Sequence, residues 1–278
     1  MHQRLSGRNF PAQLYSDLRS EFIDSLSSFY SGIGRDEILH ALQGSIKPVD
    51  AFSIKSAIDE YQPRSILEVG SFLGFSTRWI CEVSSASECT VTSLDPRLRH
   101  RVFDDLKKHV ELFNVSFLNR LSFVDACLSE KNTEMFLYDY MKYEPQKTRA
   151  EALRILEDIR VVREPVGEFD LAFIDGDHSF AATQMNVSLV AQMMPKGGVI
   201  LVHDAISFPD VEPALRKMSA DSRCKLLGIA GPEYYQCVAH VKQPQGRAKR
   251  FIARHILNYE EQLSVCDGIA FVQVSPVP

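Results

Sequence analysis

Four short apolar runs in the middle of the chain each end in an acidic residue, and these acids are the first candidates for chemistry. The runs end at Leu94-Asp95, Val124-Asp125, Ile174-Asp175 and Val202-His203-Asp204. The third run continues into Gly-Asp-His, which adds His178. Carboxylates and imidazoles gathered at one place could bind ribose hydroxyls, hold a divalent cation or move a proton.

A turn rich in glycine lies just before these acids. Residues 65–69 (Ser-Ile-Leu-Glu-Val) are typical of a buried parallel strand, and Gly-Ser-Phe-Leu-Gly follows at 70–74, before a predicted helix. Gly70 and Gly74 allow the backbone to turn sharply and to approach a ligand closely. Such turns form nucleotide pockets in open α/β sheets. The turn lacks the Gly-x-Gly-x-x-Gly spacing of nicotinamide dehydrogenases, so it argues against that class.

The elements that would position these residues alternate between strand and helix. We predict strands at 65–69, 90–94, 121–124, 169–174 and 198–203, with helices near 75–84, 99–113 and 180–194. A helix near 211–219 and strands at 225–229 and 268–274 follow, and these two strands could pair antiparallel. The pattern predicts an α/β fold, with a doubly wound, mostly parallel seven-stranded sheet that has helices on both faces.

The rest of the sequence divides into an N-terminal extension and two inserts. Residues 1–50 carry apolar residues at helical spacing and predict a helical extension, which could cap the core, cover the substrate or mediate homo-oligomer formation. Residues 51–278 form the main domain, which opens with a helix that follows Pro48 and ends at Gln62-Pro63. Its inserts at 126–167 and 231–267 exceed what a strand-helix-strand unit needs, and such inserts often select the substrate.

Composition limits the classes of partner. The net charge of −5 leaves no surplus of Lys and Arg to neutralise phosphates, which argues against nucleic acid as the main partner. The six cysteines are scattered without a Cys-x-x-Cys pair, as in reduced cytoplasmic proteins. No apolar run approaches the length that spans a membrane. We therefore expect a cytoplasmic protein that binds neither nucleic acid nor membrane.

Together these motifs resemble the class I S-adenosylmethionine-dependent methyltransferases. The resemblance covers roughly residues 50–205 and rests on four segments, namely Glu68–Thr77, Asp95, Ile174–Ser179 and Gly197–Asp204. Within the class, the motifs look most like the small-molecule O-methyltransferases related to macrocin-type and cephalosporin-tailoring enzymes. The resemblance implies a Rossmann-like methyltransferase fold and transfer of a methyl group to a hydroxyl of a small molecule.

The resemblance also implies which residues bind the cofactor, S-adenosylmethionine. Glu68 and the backbone around Gly70 would face its amino acid end and sulfonium, Asp95 would accept both ribose hydroxyls, and Asp125 with Ala126 would meet the adenine. The full expected set is Glu68, Gly70, Ser71, Gly74, Ser76, Asp95, Asp125, Ala126 and Asp175.

A reaction centre is implied in the same way. Asp175, His203 and Asp204 would hold a divalent cation, usually Mg²⁺, and His178 would be the general base, with Asp175 as its catalytic partner. A histidine at 203 departs from the second acid of many metal-dependent relatives, and it suits manganese, iron or zinc better than magnesium. Three alternatives stay open: a metal-free acid–base cluster, an N-methyltransferase or other tailoring enzyme, and a catalytically silent binding protein.

Overall fold

The computed structural model of the chain describes residues 46–71, 74–84, 89–95, 121–124, 126–127, 148–151, 154, 160–161, 165–221, 223–230 and 267–277. Four of the sequence-based predictions therefore lie wholly or largely outside the described residues. They are the N-terminal extension, the helix near 99–113, Asp125 and most of both inserts.

Each strand of the main sheet lies where an apolar run predicts one, within two residues at each end. The strands of the described residues are β1 Ser65–Val69, β2 Thr90–Leu94, β3 Leu121–Val124, β4 Ala126–Cys127, β5 Arg160–Val161, β6 Leu171–Ile174, β7 Gly198–Val202, β8 Cys224–Ala230 and β9 Ile269–Val274. The main sheet has the order β3-β2-β1-β6-β7-β9-β8. In this sheet β3, β2, β1, β6 and β7 are parallel to one another, whereas β9 is antiparallel to both β7 and β8. The strands β4 and β5 form a separate parallel pair.

Helices cover both faces of the main sheet, which confirms the predicted α/β fold. They are α1 Pro48–Tyr61, α2 Phe75–Val83, α3 Phe180–Gln192 and α4 Val211–Asp221. Apolar side chains of each strand alternate between two clusters, because successive residues of a strand point to opposite faces. Ile66 packs with α1 and α2, while its neighbour Leu67 packs with α3 and α4. No helix in the described part of the chain is long and apolar enough to span a membrane.

The start and end of α1 follow from local chemistry. Pro48 occupies the first turn, where its missing N–H costs nothing, and the Asp50 carboxylate accepts the N–H of Lys47 at 3.1 Å. The helix ends at Gln62, which has a left-handed backbone conformation, directly before Pro63. The helix thus begins before the domain boundary that we placed between residues 50 and 51.

The carboxyl ends of four parallel strands meet at one edge of the sheet. The backbone hydrogen bonds continue one residue past β1, β6 and β7. The N–H of Gly70 donates to the carbonyl of Leu94 at 2.8 Å, that of Asp175 to the carbonyl of Val69 at 2.8 Å, and that of His203 to the carbonyl of Ile174 at 2.9 Å. This register places the residues that follow β1, β2, β6 and β7 side by side. They are Gly70, Asp95, Asp175 and His203.

Candidate active site

The turn after β1 depends on its two glycines. Gly70 and Gly74 have φ values of 88° and 82°, a region that side-chain-bearing residues rarely adopt. A Cβ atom at Gly70 would lie 2.1 Å from the carbonyl oxygen of Asp175. Only glycine therefore lets this turn pack against the end of β6. Gly74 donates its N–H to the Ser71 carbonyl at 2.6 Å and forms the N-cap of α2.

Asp95 lies beside the turn and helps to fix it. Its Oδ2 accepts the N–H of Ser71 at 2.8 Å, and the residue is almost fully buried. Ser71 is equally buried, yet among the described residues its hydroxyl has no hydrogen-bond partner. A buried polar group without a partner costs about 1–3 kcal/mol. A polar ligand held at the turn could supply the missing partner, so this part of the site fits a bound cofactor.

Glu68 is enclosed behind the turn. It has no exposed surface, and its Oε1 accepts the hydroxyl of Ser76 at 2.7 Å. Its Oε2 accepts the hydroxyls of Thr77 and Ser93. Glu68 and Ser76 thus have partners within the protein, and their contacts with a cofactor stay a prediction. The carboxylate of Glu68 ties β1 to β2 and to the first turn of α2.

The environment of Glu68 leads to a prediction about stability. Burial raises its pKa to about 7, although its three hydroxyl partners act in the opposite direction. A carboxyl whose pKa is higher in the folded state stabilises the fold fully below its unfolded pKa, about 4.3, and loses that contribution as pH rises through 7. The shift corresponds to about 3 kcal/mol.

We therefore expect the free energy of unfolding to fall as pH rises between about 4 and 8, and to fall less in Glu68→Gln, whose side chain does not titrate. Urea titrations at a series of pH values measure this difference. Parallel profiles for the two proteins would show that Glu68 keeps an ordinary pKa in the folded state.

A second group of side chains lies beyond β6 and β7. Nε2 of His178 is 2.9 Å from Oδ2 of Asp204 and 3.8 Å from Oδ1 of Asp175. One ligand atom from each of these three residues lies within 4.8 Å of the others. Asp204 has a φ of 59°, which is uncommon for a residue other than glycine and is often found at functional sites. The structure thus brings together three residues that we predicted for the reaction centre.

Electrostatics sets the protonation of this group. Burial lowers the pKa of His178, but the hydrogen bond to Asp204 and the charges of Asp204 and Asp175 raise it overall above the ordinary value. Burial favours a raised pKa for Asp175, but the charge of His203 and its hydrogen bond hold that pKa below the usual range. Asp175 is therefore charged, and the imidazole of His178 is more basic than an ordinary histidine.

His203 lies between two carboxylates, and its role as a metal ligand stays a prediction. Its Nδ1 lies 3.0 Å from Oδ1 of Asp175, and its Nε2 lies 3.3 Å from Oδ2 of Asp50. Ionised carboxylates only accept hydrogen bonds, so a doubly protonated His203 can donate one to each of them. Burial lowers the pKa of His203, but these carboxylates raise it well above its ordinary value. Among the described residues, two groups could hold a metal ion: one is Asp175, His178 and Asp204, and the other is Asp50, His203 and Asp267.

Two further residues of the site escaped the sequence analysis. In the sequence, Asp50 is only an acid in the first turn of the predicted helix α1, and a role in capping that helix is enough to explain it. Phe208 lies in the turn after β7, with its ring centroid 4.5 Å from that of His178 and 45% of its surface exposed. A single phenylalanine in a loop has no spacing that could identify it.

Of the two residues expected to contact the adenine, the structure describes one. Asp125 lies outside the described residues, and Ala126 begins the short strand β4. Their contact with a cofactor stays a prediction.

Comparison with known proteins identifies the family. Residues 67–205, half of the chain, match the profile of a protein family described as a methyltransferase domain. The chain belongs to this methyltransferase family. The matched span begins in β1 and ends just after Asp204, so it includes the glycine turn, Asp95 and the His178 cluster. The prediction of a methyltransferase is thereby confirmed.

A solved structure of a methyltransferase shares the fold, and others are similar to the chain over most of its length. SAH-bound methyltransferase PaMTH1 from Podospora anserina is 12% identical with a TM-score of 0.50, and the alignment covers 91% of this chain and 87% of that one. An O-methyltransferase from Bacillus cereus in complex with SAH is 15% identical with a TM-score of 0.48, covering 99% and 96%. At these identities the likeness to PaMTH1 supports the fold alone. A search of curated protein sequences finds no significant match.

Proposed function

We propose that this methyltransferase uses S-adenosylmethionine and methylates a hydroxyl group of a small molecule. One observation carries the proposal: a glycine turn lies at the same sheet edge as the cluster of Asp175, His178 and Asp204, and its buried Ser71 hydroxyl has no partner in the part of the chain that the structure describes. The turn is suited to hold the methyl donor. The cluster is suited to accept the proton that O-methylation releases.

The residues around the turn are assigned to the cofactor. S-adenosylmethionine supplies, when bound, a methyl group on a positively charged sulfur. Gly70 lets the backbone come close to such a ligand, and the Ser71 hydroxyl offers it a hydrogen bond. Asp95, which already orders the turn through Ser71, is assigned to the ribose hydroxyls. The carbonyl group of Asp175 lies against Gly70, and its side chain belongs to the cluster with His178, so Asp175 is assigned to contact the cofactor from the reaction centre.

His178 is assigned as the general base. Its Nε2 faces Asp204, so this nitrogen carries the proton that it donates to the carboxylate. Nδ1 is then the nitrogen that takes the proton from the acceptor hydroxyl. The carboxylates of Asp204 and Asp175 stabilise the charged imidazole that results. Methyl transfer itself needs mainly the alignment of oxygen, carbon and sulfur.

A divalent metal is a second candidate for the same cluster. Asp175, His178 and Asp204 offer two oxygens and one nitrogen, which suits manganese, iron or zinc better than magnesium. A metal held there would acidify the acceptor hydroxyl. In that arrangement His178 binds the metal and cannot act as the base, so the two roles exclude each other.

Cofactor binding is the first test. Calorimetry should show that wild type binds S-adenosylmethionine and that Asp95→Ala binds it about 10-fold more weakly or worse, because charge-assisted hydrogen bonds contribute about 1.5–3 kcal/mol. Asp170→Ala is the matched control, since Asp170 also accepts backbone N–H groups, from Arg64 and Ser65, but at the opposite end of β1. A wild type without affinity for S-adenosylmethionine would favour the silent binding protein.

Methyl transfer is the second test. The protein is incubated with S-adenosylmethionine and separate panels of phenols, sugars and amines, with and without EDTA, and S-adenosylhomocysteine formation is measured. Transfer to hydroxyls that survives EDTA supports His178 as the base. Loss of activity with EDTA, restored by Mn²⁺, supports the metal. Transfer to amines alone would replace O-methylation with the N-methyltransferase alternative.

A further inference from the structure

Helix α1 precedes the span that matches the methyltransferase family, yet it contributes a side chain to the site. Asp50 has no exposed surface, and its Oδ2 lies 3.3 Å from Nε2 of His203. Nδ1 of the same ring lies 3.0 Å from Oδ1 of Asp175. One imidazole therefore joins an acid of α1 to an acid of the reaction centre.

The position of Asp50 is fixed by the backbone of two distant segments. Its Oδ2 accepts the N–H groups of Lys47 at 3.1 Å and of Asp267 at 3.0 Å. Its Oδ1 accepts the N–H of Gly268 at 3.0 Å. The carboxylate is thus held by the start of α1 and by the residues that lead into β9. Because these donors belong to the main chain, the fold itself sets where the carboxylate lies.

The ring of His203 is held as firmly. Its side chain is only 4% exposed, and Phe173 packs against it with ring centroids 5.9 Å apart. A rotation of the ring would break the bonds to Asp50 and Asp175 together. With Nε2 anchored, the direction of Nδ1–H is set, and with it the orientation of the Asp175 carboxylate that accepts this bond.

We propose that Asp50 is a positioning residue of the methyltransferase site, which acts through His203 to orient the carboxylate of Asp175 beside the glycine turn. This inference rests on the proposed function, because it assumes that Asp175 contacts S-adenosylmethionine. It differs from a purely structural role for Asp50 as a helix cap. A cap would affect the stability of α1 and leave the hydrogen bond between His203 and Asp175 unchanged.

The test replaces Asp50 in the full-length chain. Asp50→Asn keeps the size of the side chain but removes the carboxylate that faces His203. Asp59→Asn is the matched control, because Asp59 is an exposed acid of the same helix, paired with Lys55 at 2.7 Å. Lys47→Met is a stability control, since it breaks the 3.3 Å ion pair with Asp267 in the same buried region but touches neither bond of His203.

Two measurements separate positioning from stability. The first is the Nδ1–H resonance of His203 in proton–nitrogen NMR spectra, assigned by its loss in His203→Gln. The second is the affinity for S-adenosylmethionine, measured by calorimetry well below each melting temperature. We expect Asp50→Asn to move the resonance and to weaken affinity about five-fold or more, which corresponds to about 1 kcal/mol. Asp59→Asn should do neither.

The outcomes are distinct. If Asp50→Asn only lowers the melting temperature, as Lys47→Met does, then Asp50 is a helix cap and the inference is overturned. If Asp50→Asn does not fold, His203→Gln takes its place, because it removes the bridge and leaves the backbone bonds of Asp50; unchanged affinity in that variant also overturns the inference. If wild type binds no S-adenosylmethionine, the proposed function fails, and the NMR shift alone decides whether Asp50 orients His203 toward Asp175.

Discussion

Replacing His178 by alanine is expected to lower kcat about 100-fold or more, because a positioned general base typically contributes 10²–10⁴-fold. The affinity for S-adenosylmethionine should stay within about two-fold, since an interaction made only in the transition state affects kcat and not ground-state binding. His178 is held by Asp204 beyond β7, whereas the cofactor is assigned to the turn after β1. Steady-state formation of S-adenosylhomocysteine with an accepted hydroxyl substrate, together with calorimetry, measures both effects.

The pH dependence of kcat adds a second readout for His178. The ring must lose its proton before it can act as a base, and its pKa is raised in the folded protein. In wild type kcat should therefore rise with pH, with a midpoint above about 6.5, the ordinary value for imidazole. This rise should be absent from the residual activity of His178→Ala.

Two controls show what a loss of activity in His178→Ala means. Phe208→Leu removes the ring that packs on His178 but keeps the imidazole, so it should retain the pH-dependent rise. If added Mn²⁺ restores turnover to His178→Ala, the histidine serves as a metal ligand and the base lies elsewhere. Full turnover in His178→Ala without added metal would remove the base assignment altogether.

Replacing Gly70 by alanine should have the largest effect on the fold of the site. The new Cβ would lie 2.1 Å from the carbonyl oxygen of Asp175, in a backbone conformation with φ of 88°. The turn must therefore move away from the end of β6. We expect a loss of about 3 kcal/mol or more in the free energy of unfolding, and affinity for S-adenosylmethionine at least about 100-fold weaker. Urea unfolding and calorimetry measure these changes.

Gly228→Ala is the matched control for this prediction. A Cβ at Gly228 of β8 would meet no described residue within 4 Å, so this variant should unfold within about 1 kcal/mol of wild type and bind the cofactor normally. Equal destabilisation of both variants would indicate a general cost of losing glycine. Normal cofactor binding by Gly70→Ala would contradict the close packing of the turn on Asp175.

The strands and the edge on which the site lies could be predicted from sequence. The strands β1, β6 and β7 are buried on both faces, so β6 and β7 stand out as continuous apolar runs and β1 as an apolar run that contains Glu68. In a parallel sheet the residues after such runs meet at one edge. This reasoning predicts that Asp95, Asp175 and His203 lie near one another.

The partners of these side chains could not be predicted in the same way. Glu68 accepts a hydrogen bond from Ser93 because the register of β1 and β2 puts the two residues opposite each other. It accepts one from Ser76 because of the way α2 packs against the sheet. Neither register nor docking has a local signature. The contact between His203 and Asp50 spans 153 positions in the sequence and depends on how α1 packs. Sequence reasoning can therefore identify these groups, but it cannot identify the side chains of the protein that they contact.

The place of β9 has a consequence for the synthesis of the protein. This strand comes late in the sequence, yet it lies inside the sheet between β7 and β8. During synthesis on the ribosome, β7 and β8 are therefore made well before β9, which lies between them. Until β9 has been made, the edge of β7 that it covers stays unpaired. An unpaired strand edge invites association with other chains. A recombinant fragment that stops before residue 269 would carry this exposed edge permanently and would also lack a neighbour for β8.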